Sequence, residues 1–209
     1  MAYVLGFFAA DGTMILNNRG AHFIEFHITD RSLLYALRRA VGSDHKIATR
    51  TRDVKWKLGY RLQVGSKAWF TDLQTLGFTP NKSSSMKFPV IPDAFFGAFV
   101  RGYFDGDGCV YFKKHIVKDR TEPRWIFSTR FTSGSKDFLV SLLGRLRLCG
   151  INGGFIVEKT RGHELVFSHR DSVALFHIMY DTMPVGATFL RRKYVIFRKA
   201  LWTLYKLRP

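Results

Sequence analysis

The chain has 209 residues, enough for one large domain or two small ones each with a core, and 46% of them are hydrophobic, which excludes a disordered chain. Thirty-three Lys and Arg against sixteen Asp and Glu leave a formal charge of +17, spread along the chain, and point to a polyanionic partner, nucleic acid ahead of an acidic membrane. Two cysteines, Cys109 and Cys149, are too few for a disulfide framework or a zinc set; they fit a reducing compartment and are expected to be small buried side chains.

The first element in chain order is the apolar run "YVLGFFAADG". No basic segment precedes it and Asp11 closes it early, so it does not read as a secretion signal. No run approaches the ~20 apolar residues of a membrane span, and the chain reads as soluble and intracellular. Gly6 and Ala10 stand four apart, which on a helix is one face that lets another backbone approach closely, and Gly12 is the expected C-terminal cap. The alternating segments "TMILNN" and "HFIEFHIT" read as strands, "RSLLYALRRAVG" as a helix, "HKIATRTR" and "YRLQVG" as strands, and "KAWFTDLQTLG" as a helix. The stretch "TPNKSSSMKFPVIPD", rich in Pro and Ser, reads as a linker.

The same order then repeats. "VRGYFDGDG" matches "VLGFFAADG", with Gly102 and Gly106 on one face and Asp107 standing 96 residues after Asp11. "CVYFKKH" and "WIFSTRFTSG" read as strands, "KDFLVSLLGRLRLCG" as a helix stopped at Gly150, "GGFIVEKT" and "HELVFSH" as strands, and "DSVALFHIMYDTM" as a closing helix. The expected fold is α+β, with two pseudo-symmetric αββαββα halves, residues 1–79 and 94–209, joined by a linker over 80–93 and packed through their motif helices.

Asp11 and Asp107 are expected at helix C-termini, where the helix dipole penalises a negative charge by ~0.3–1 kcal/mol. A divalent cation reverses the sign of that penalty, and carboxylates with the helix-end carbonyls of Ala10 and Gly106 are hard ligands suited to magnesium or calcium. A calcium-binding loop is excluded: in "DGDGCVYFKKH" the third ligand position is Cys109 and the required glycine is Val110. An aspartic-protease pair is excluded because its Asp-Gly dipeptides follow strands.

Both nonapeptides, the element order and the Pro-containing linker resemble the LAGLIDADG homing endonucleases in their single-chain, two-motif form. The resemblance implies saddle-shaped antiparallel sheets over duplex DNA and a metal-dependent double-strand break. It also implies Mg2+ as cofactor, with Ca2+ or Mn2+ as substitutes, and a monomer needing no protein partner. It assigns metal binding to Asp11 and Asp107; the first copy departs from the family motif at Ala9, where the second copy has Asp105. It further implies a basic residue near each cleavage site, Lys82 in the first half and Arg191 or Lys193 in the second, and a water-ordering polar residue at Asp30 and Ser133.

Strand alternation then assigns the DNA face. With Ile24, Phe26 and Ile28 turned to the helices, Glu25, His27 and Thr29 face outward. The same parity turns out Ile15, Asn17 and Arg19, and Tyr111, Lys113 and His115; further candidates are Arg50, Arg52, Arg61, Gln63, Ser128, Arg130 and Glu158. Arg and Lys would read guanine, and Asn and Gln adenine, in a major groove. An RNA-splicing cofactor and a non-cleaving DNA-binding regulator are the rival readings, and paired acids at helix ends favour cleavage over both. The terminal sequences hold no splicing nucleophile or His-Asn pair, so an intein is not expected.

Overall fold

The computed structural model describes residues 1–50, 57–116 and 122–206. The first half runs α1 (Ala2–Asp11), β1 (Gly12–Leu16), β2 (His22–Ile28), α2 (Arg31–Ala40), β3 (Ile47–Arg50), β4 (Gly59–Gly65) and α3 (Lys67–Thr75). A short 3-10 turn, Lys82–Ser84, leads to the second half: α4 (Asp93–Asp107), β5 (Gly108–His115), β6 (Arg124–Ser133), α5 (Lys136–Leu148), β7 (Phe155–Lys159), β8 (Gly162–Phe167), α6 (His169–Tyr180) and α7 (Arg191–Tyr205). Each half holds one four-stranded antiparallel sheet, in the order β1-β2-β4-β3 and β5-β6-β8-β7.

Local chemistry explains these elements. Ser66 and Ser135 cap α3 and α5 by accepting hydrogen bonds from Trp69 N and Phe138 N at 3.1 and 3.2 Å. Gly150, with φ +87°, ends α5 in the left-handed conformation that glycine adopts freely. Leu33, Leu34 and Leu37 line the buried side of α2, and Arg38 and Arg39 occupy its last turn, where cations suit the helix dipole.

The motif helices α1 and α4 pack backbone to backbone. A Cβ built on Gly6 would stand 2.0 Å from the Phe99 carbonyl oxygen, one on Gly102 2.1 Å from the Tyr3 carbonyl oxygen, and one on Gly106 2.3 Å from Ala10 Cβ. Only glycine fits at the first two crossings. Phe7 and Phe8 carry the packing outward onto Phe26 of β2, and Tyr103 and Phe104 do the same onto Phe131 of β6, so one aromatic seam is built twice.

Four expectations change. Gly12 and Gly108 do follow the motif helices, but in extended backbone, φ −85° and −93°, not as left-handed caps. A side chain is excluded there because its Cβ would lie 2.1 Å from a Phe8 ring carbon or 2.2 Å from a Phe104 ring carbon. The linker is packed rather than open: Lys82, Met86 and Ile91 are buried, and Phe88 lies 5.3 Å from the rings of both Phe99 and Phe138. Cys109 and Cys149 are exposed. The second half carries a helix beyond the repeated order, α7, whose Phe197, Ala200 and Leu201 recur at helical spacing and are buried.

Candidate active site and sheet faces

Because α1 and α4 touch along their length and each ends in an acid, the packing delivers two carboxylates to one place. Asp11 lies across from the end of α4, where a Cβ on Gly106 would come within 3.2 Å of Asp11 Oδ2. Burial raises both acids. Asp107 is pushed up to about 6, first by burial and then by the negative charge of Asp11; Asp11 is raised by burial, against the pull of Lys193 and Lys82.

Two cations flank the acids. Lys82, from the turn that follows the first half, is 6% exposed and its Nζ stands 5.3 Å over the Phe8 ring; Lys193, from α7, is 5% exposed and stands 5.1 Å over the Phe104 ring. Burial lowers both ammonium groups to about 8, while nearby carboxylates oppose the shift. Lys193 Nζ donates to the carbonyls of Phe104 and Asp105 at 2.7 and 2.9 Å, of Gly106 at 3.2 Å, and of Gly108, so a positive charge sits on the negative end of the α4 dipole. Of the two candidates in this stretch, Lys193 stands beside the acids and Arg191 is exposed. The Gly106 carbonyl, expected to face a metal, is engaged by Lys193.

Asp30 and Ser133 are not counterparts. Phe26 pairs with Gly12 and Phe131 with Gly108, so in the same register Asp30 corresponds to Ser135, and both are N-caps of the second helix of their half. Asp30 Oδ2 accepts from Arg192 Nε at 3.2 Å, which ties α7 to the first half; Ser133 Oγ accepts from Ser135 N at 3.1 Å and closes its own turn.

On the first sheet, register turns Ile15, Glu25, His27, Arg50, Arg61 and Gln63 to the side opposite the helices. Glu25 gathers them: Gln63 Nε2 donates to it at 3.2 Å, and Arg50 and Arg61 lie at 3.5 and 3.6 Å. Asn17 accepts from the backbone N–H groups of Arg19 and Ala21 and forms the β1–β2 turn, with Arg19 exposed. Arg52 lies outside the described residues.

On the second sheet, Tyr111, Lys113, His115, Ser128 and Arg130 share the outward side, with a short hydrogen bond between Tyr111 and His115. Glu158 does not. It pairs with His163 on the side that Ile156 and Leu165 turn to the helices, and the acid of the outward side is Glu164, 3.8 Å from Arg130 and 3.4 Å from Lys159. Strict alternation from Leu165 in "HELVF" was the signal for Glu164. Nothing in the sequence marked Tyr3 or Arg101 as polar partners across the helix interface.

Among the described residues no group of three or more His, Cys, Asp or Glu side chains converges. Two carboxylates at a helix crossing fit an ion that keeps most of its ligands as water and phosphate oxygens, as magnesium does.

Residues 1–74 match the model of the LAGLIDADG-like domain family. No curated protein matches the chain by sequence. Among solved structures, I-SmaMI bound to uncleaved DNA target in the presence of calcium ions superposes with a TM-score of 0.65 at 14% identity, over 98% of this chain and 92% of that one. The I-LtrWI LAGLIDADG homing endonuclease bound to target DNA gives 0.62 at 11% identity, over 97% and 89%. At these identities the likeness establishes the fold alone, over nearly the whole length: two similar α+β halves in one chain.

Proposed function

We propose that this chain, with the LAGLIDADG fold in both of its halves, is a monomeric site-specific endonuclease that makes a metal-dependent double-strand break in a long duplex DNA target. The carrying observation is the pairing of Asp11 and Asp107 where two glycine-packed helices end, each flanked by a buried lysine over the corresponding phenylalanine. Two like charges brought together under partial burial are unfavourable by themselves, and binding duplex DNA does not require them. Asp11 and Asp107 would hold magnesium, for which calcium or manganese could substitute, and the ion would supply charge to polarise the scissile phosphate and acidify the attacking water.

The remaining roles belong to the chain. Lys82 and Lys193 each set a cation beside one phosphate, where it would offset the charge gained by a pentacoordinate phosphorus. The outward sheet faces, residues of 1–79 and of 94–209, would follow successive stretches of major groove, with Arg50, Arg61, Gln63, Lys113 and Arg130 in reach of base edges. A structural neighbour held uncleaved DNA with calcium ions, and this supports a duplex ligand and a divalent ion here.

The test is selection of cleaved duplexes from a randomised pool in magnesium. One recurrent target cut on both strands is expected, with binding but no turnover in calcium. A target bound and never cut in magnesium or manganese would overturn the endonuclease and leave a DNA-binding protein.

A further inference from the structure

The second motif helix carries Arg101 and Asp105 one turn apart, where the first has Leu5 and Ala9, and both are buried, 4% and 1% exposed. Arg101 donates through Nε to the Thr188 carbonyl at 3.2 Å and through Nη1 to the Met179 carbonyl. Asp105 Oδ2 accepts from the Tyr3 hydroxyl and from the Leu190 backbone N–H, both at 2.7 Å. The pair therefore ties the last turn of α6, at Met179, to the downstream end of residues 181–190, the segment between α6 and α7, at Thr188 and Leu190. Leu190 is the N-cap of α7, and Lys193 stands on its first turn.

We infer that Asp105 is a positioning residue for Lys193: by holding the Leu190 N–H it sets where α7 begins, and so where the Lys193 ammonium sits against the end of α4. The inference rests on the catalytic reading of Lys193 above. The first half needs no such anchor, and its equivalent position is Ala9. Lys82 follows shortly after Phe78, whose buried ring packs 5.2 Å from Phe8, so its tether is short. Lys193 follows a segment that crosses onto the other half, with Gly186, Ala187, Thr188 and Phe189 beside Ser32, Leu33, Ala36 and Arg39 of α2. Without a fixed end, that segment can slide. A hydrogen bond to a carboxylate is strong enough to fix it, and a displacement of 1 Å in a reacting group costs roughly a hundredfold in rate.

The experiment is strand-resolved single-turnover cleavage with DNA affinity measured in parallel. Lys193→Met identifies the strand that depends on Lys193. Asp105→Leu is expected to slow that strand ~30–100-fold, leave the other strand and DNA affinity within threefold, and add nothing in a Lys193→Met background. Leu190→Pro removes the N–H and leaves the carboxylate, and is expected to give the same strand bias; it carries the test if Asp105→Leu does not fold. Tyr3→Phe, which removes the other donor to Asp105, should show no strand bias. Equal slowing of both strands, or an effect that multiplies that of Lys193→Met, overturns the inference alone. Parental cleavage by Lys193→Met overturns the catalytic reading and this one with it.

Discussion

Lys82 and Lys193 occupy the same seat by different routes. Each ammonium stands just over 5 Å above the corresponding motif phenylalanine and acts on both Asp11 and Asp107, with Asp105 a further acid beside Lys193. The first arrives on a short linker turn, the second through a strap and a fifteen-residue helix that has no counterpart among the described residues of the other half. The surroundings have diverged as well. Glu25 in β2 corresponds in register to Arg130 in β6, so the acid that gathers the basic side chains stands on β2 in one sheet and on β8, as Glu164, in the other. What both halves keep is the helix crossing, the aromatic seam and the charges at its end, which is the set that chemistry on two strands would require.

The largest expected effect tests whether the two acids are equivalent. Asp11→Asn and Asp107→Asn should each abolish cleavage of at least one strand while DNA affinity falls by less than tenfold, or ~1.4 kcal/mol. Normal double-strand cutting by either variant would break the symmetry on which the reading stands. Because each acid raises the cost of the other, Asp107→Asn should also melt above the parent when no metal is present.

Next come the cations, which should separate the halves. Lys82→Met and Lys193→Met are expected to slow opposite strands by ~100–1,000-fold, the scale of losing one positioned charge from a transition state. Arg191→Ala, an exposed neighbour, should stay within threefold. If Lys82→Met and Lys193→Met slow the same strand, the two seats are not equivalent.

The helix crossing should behave symmetrically. Gly6→Val and Gly102→Val each force a side chain into a carbonyl about 2 Å away, and should cost ~1–3 kcal/mol of stability with a loss of cutting on both strands. Thermal melts and strand-resolved assays would show it. A loss confined to one strand would mean that the crossing does not set both acids.

The smallest effect is in pH. Asp105 and Asp107 are held at about 6 in the folded protein by burial, above the ordinary value of 3.8, so between about pH 4 and 6 the native state binds more protons than the unfolded one. The contribution of these two groups to stability is then full below pH 4 and is lost as pH rises through 6, a fall of a few degrees in Tm for metal-free protein. Calcium should restore Tm at pH 7 and not at pH 4, and Asp107→Asn should flatten the slope.

Read alone, the sequence determined the duplicated order, the two motif helices and their contact, because small residues four apart within an apolar run, followed by an acid and a glycine, are local signals. Alternation likewise sufficed for Glu25, Gln63 and Arg130, since a strand's parity is set by its own buried residues. It failed for Glu158, where the reference strand was β8 and pairing across the sheet decided the side. Tertiary structure alone decided which of Arg191 and Lys193 stands beside the acids: they are two residues apart and chemically alike, and only the docking of α7 buries one against Phe104 and leaves the other in solvent. The same holds for Asp105, which pattern marks as a mere variant of Ala9. Its partners, Tyr3 and the Leu190 N–H, stand 102 and 85 positions away in the chain, a distance that no local preference spans and that only folding closes.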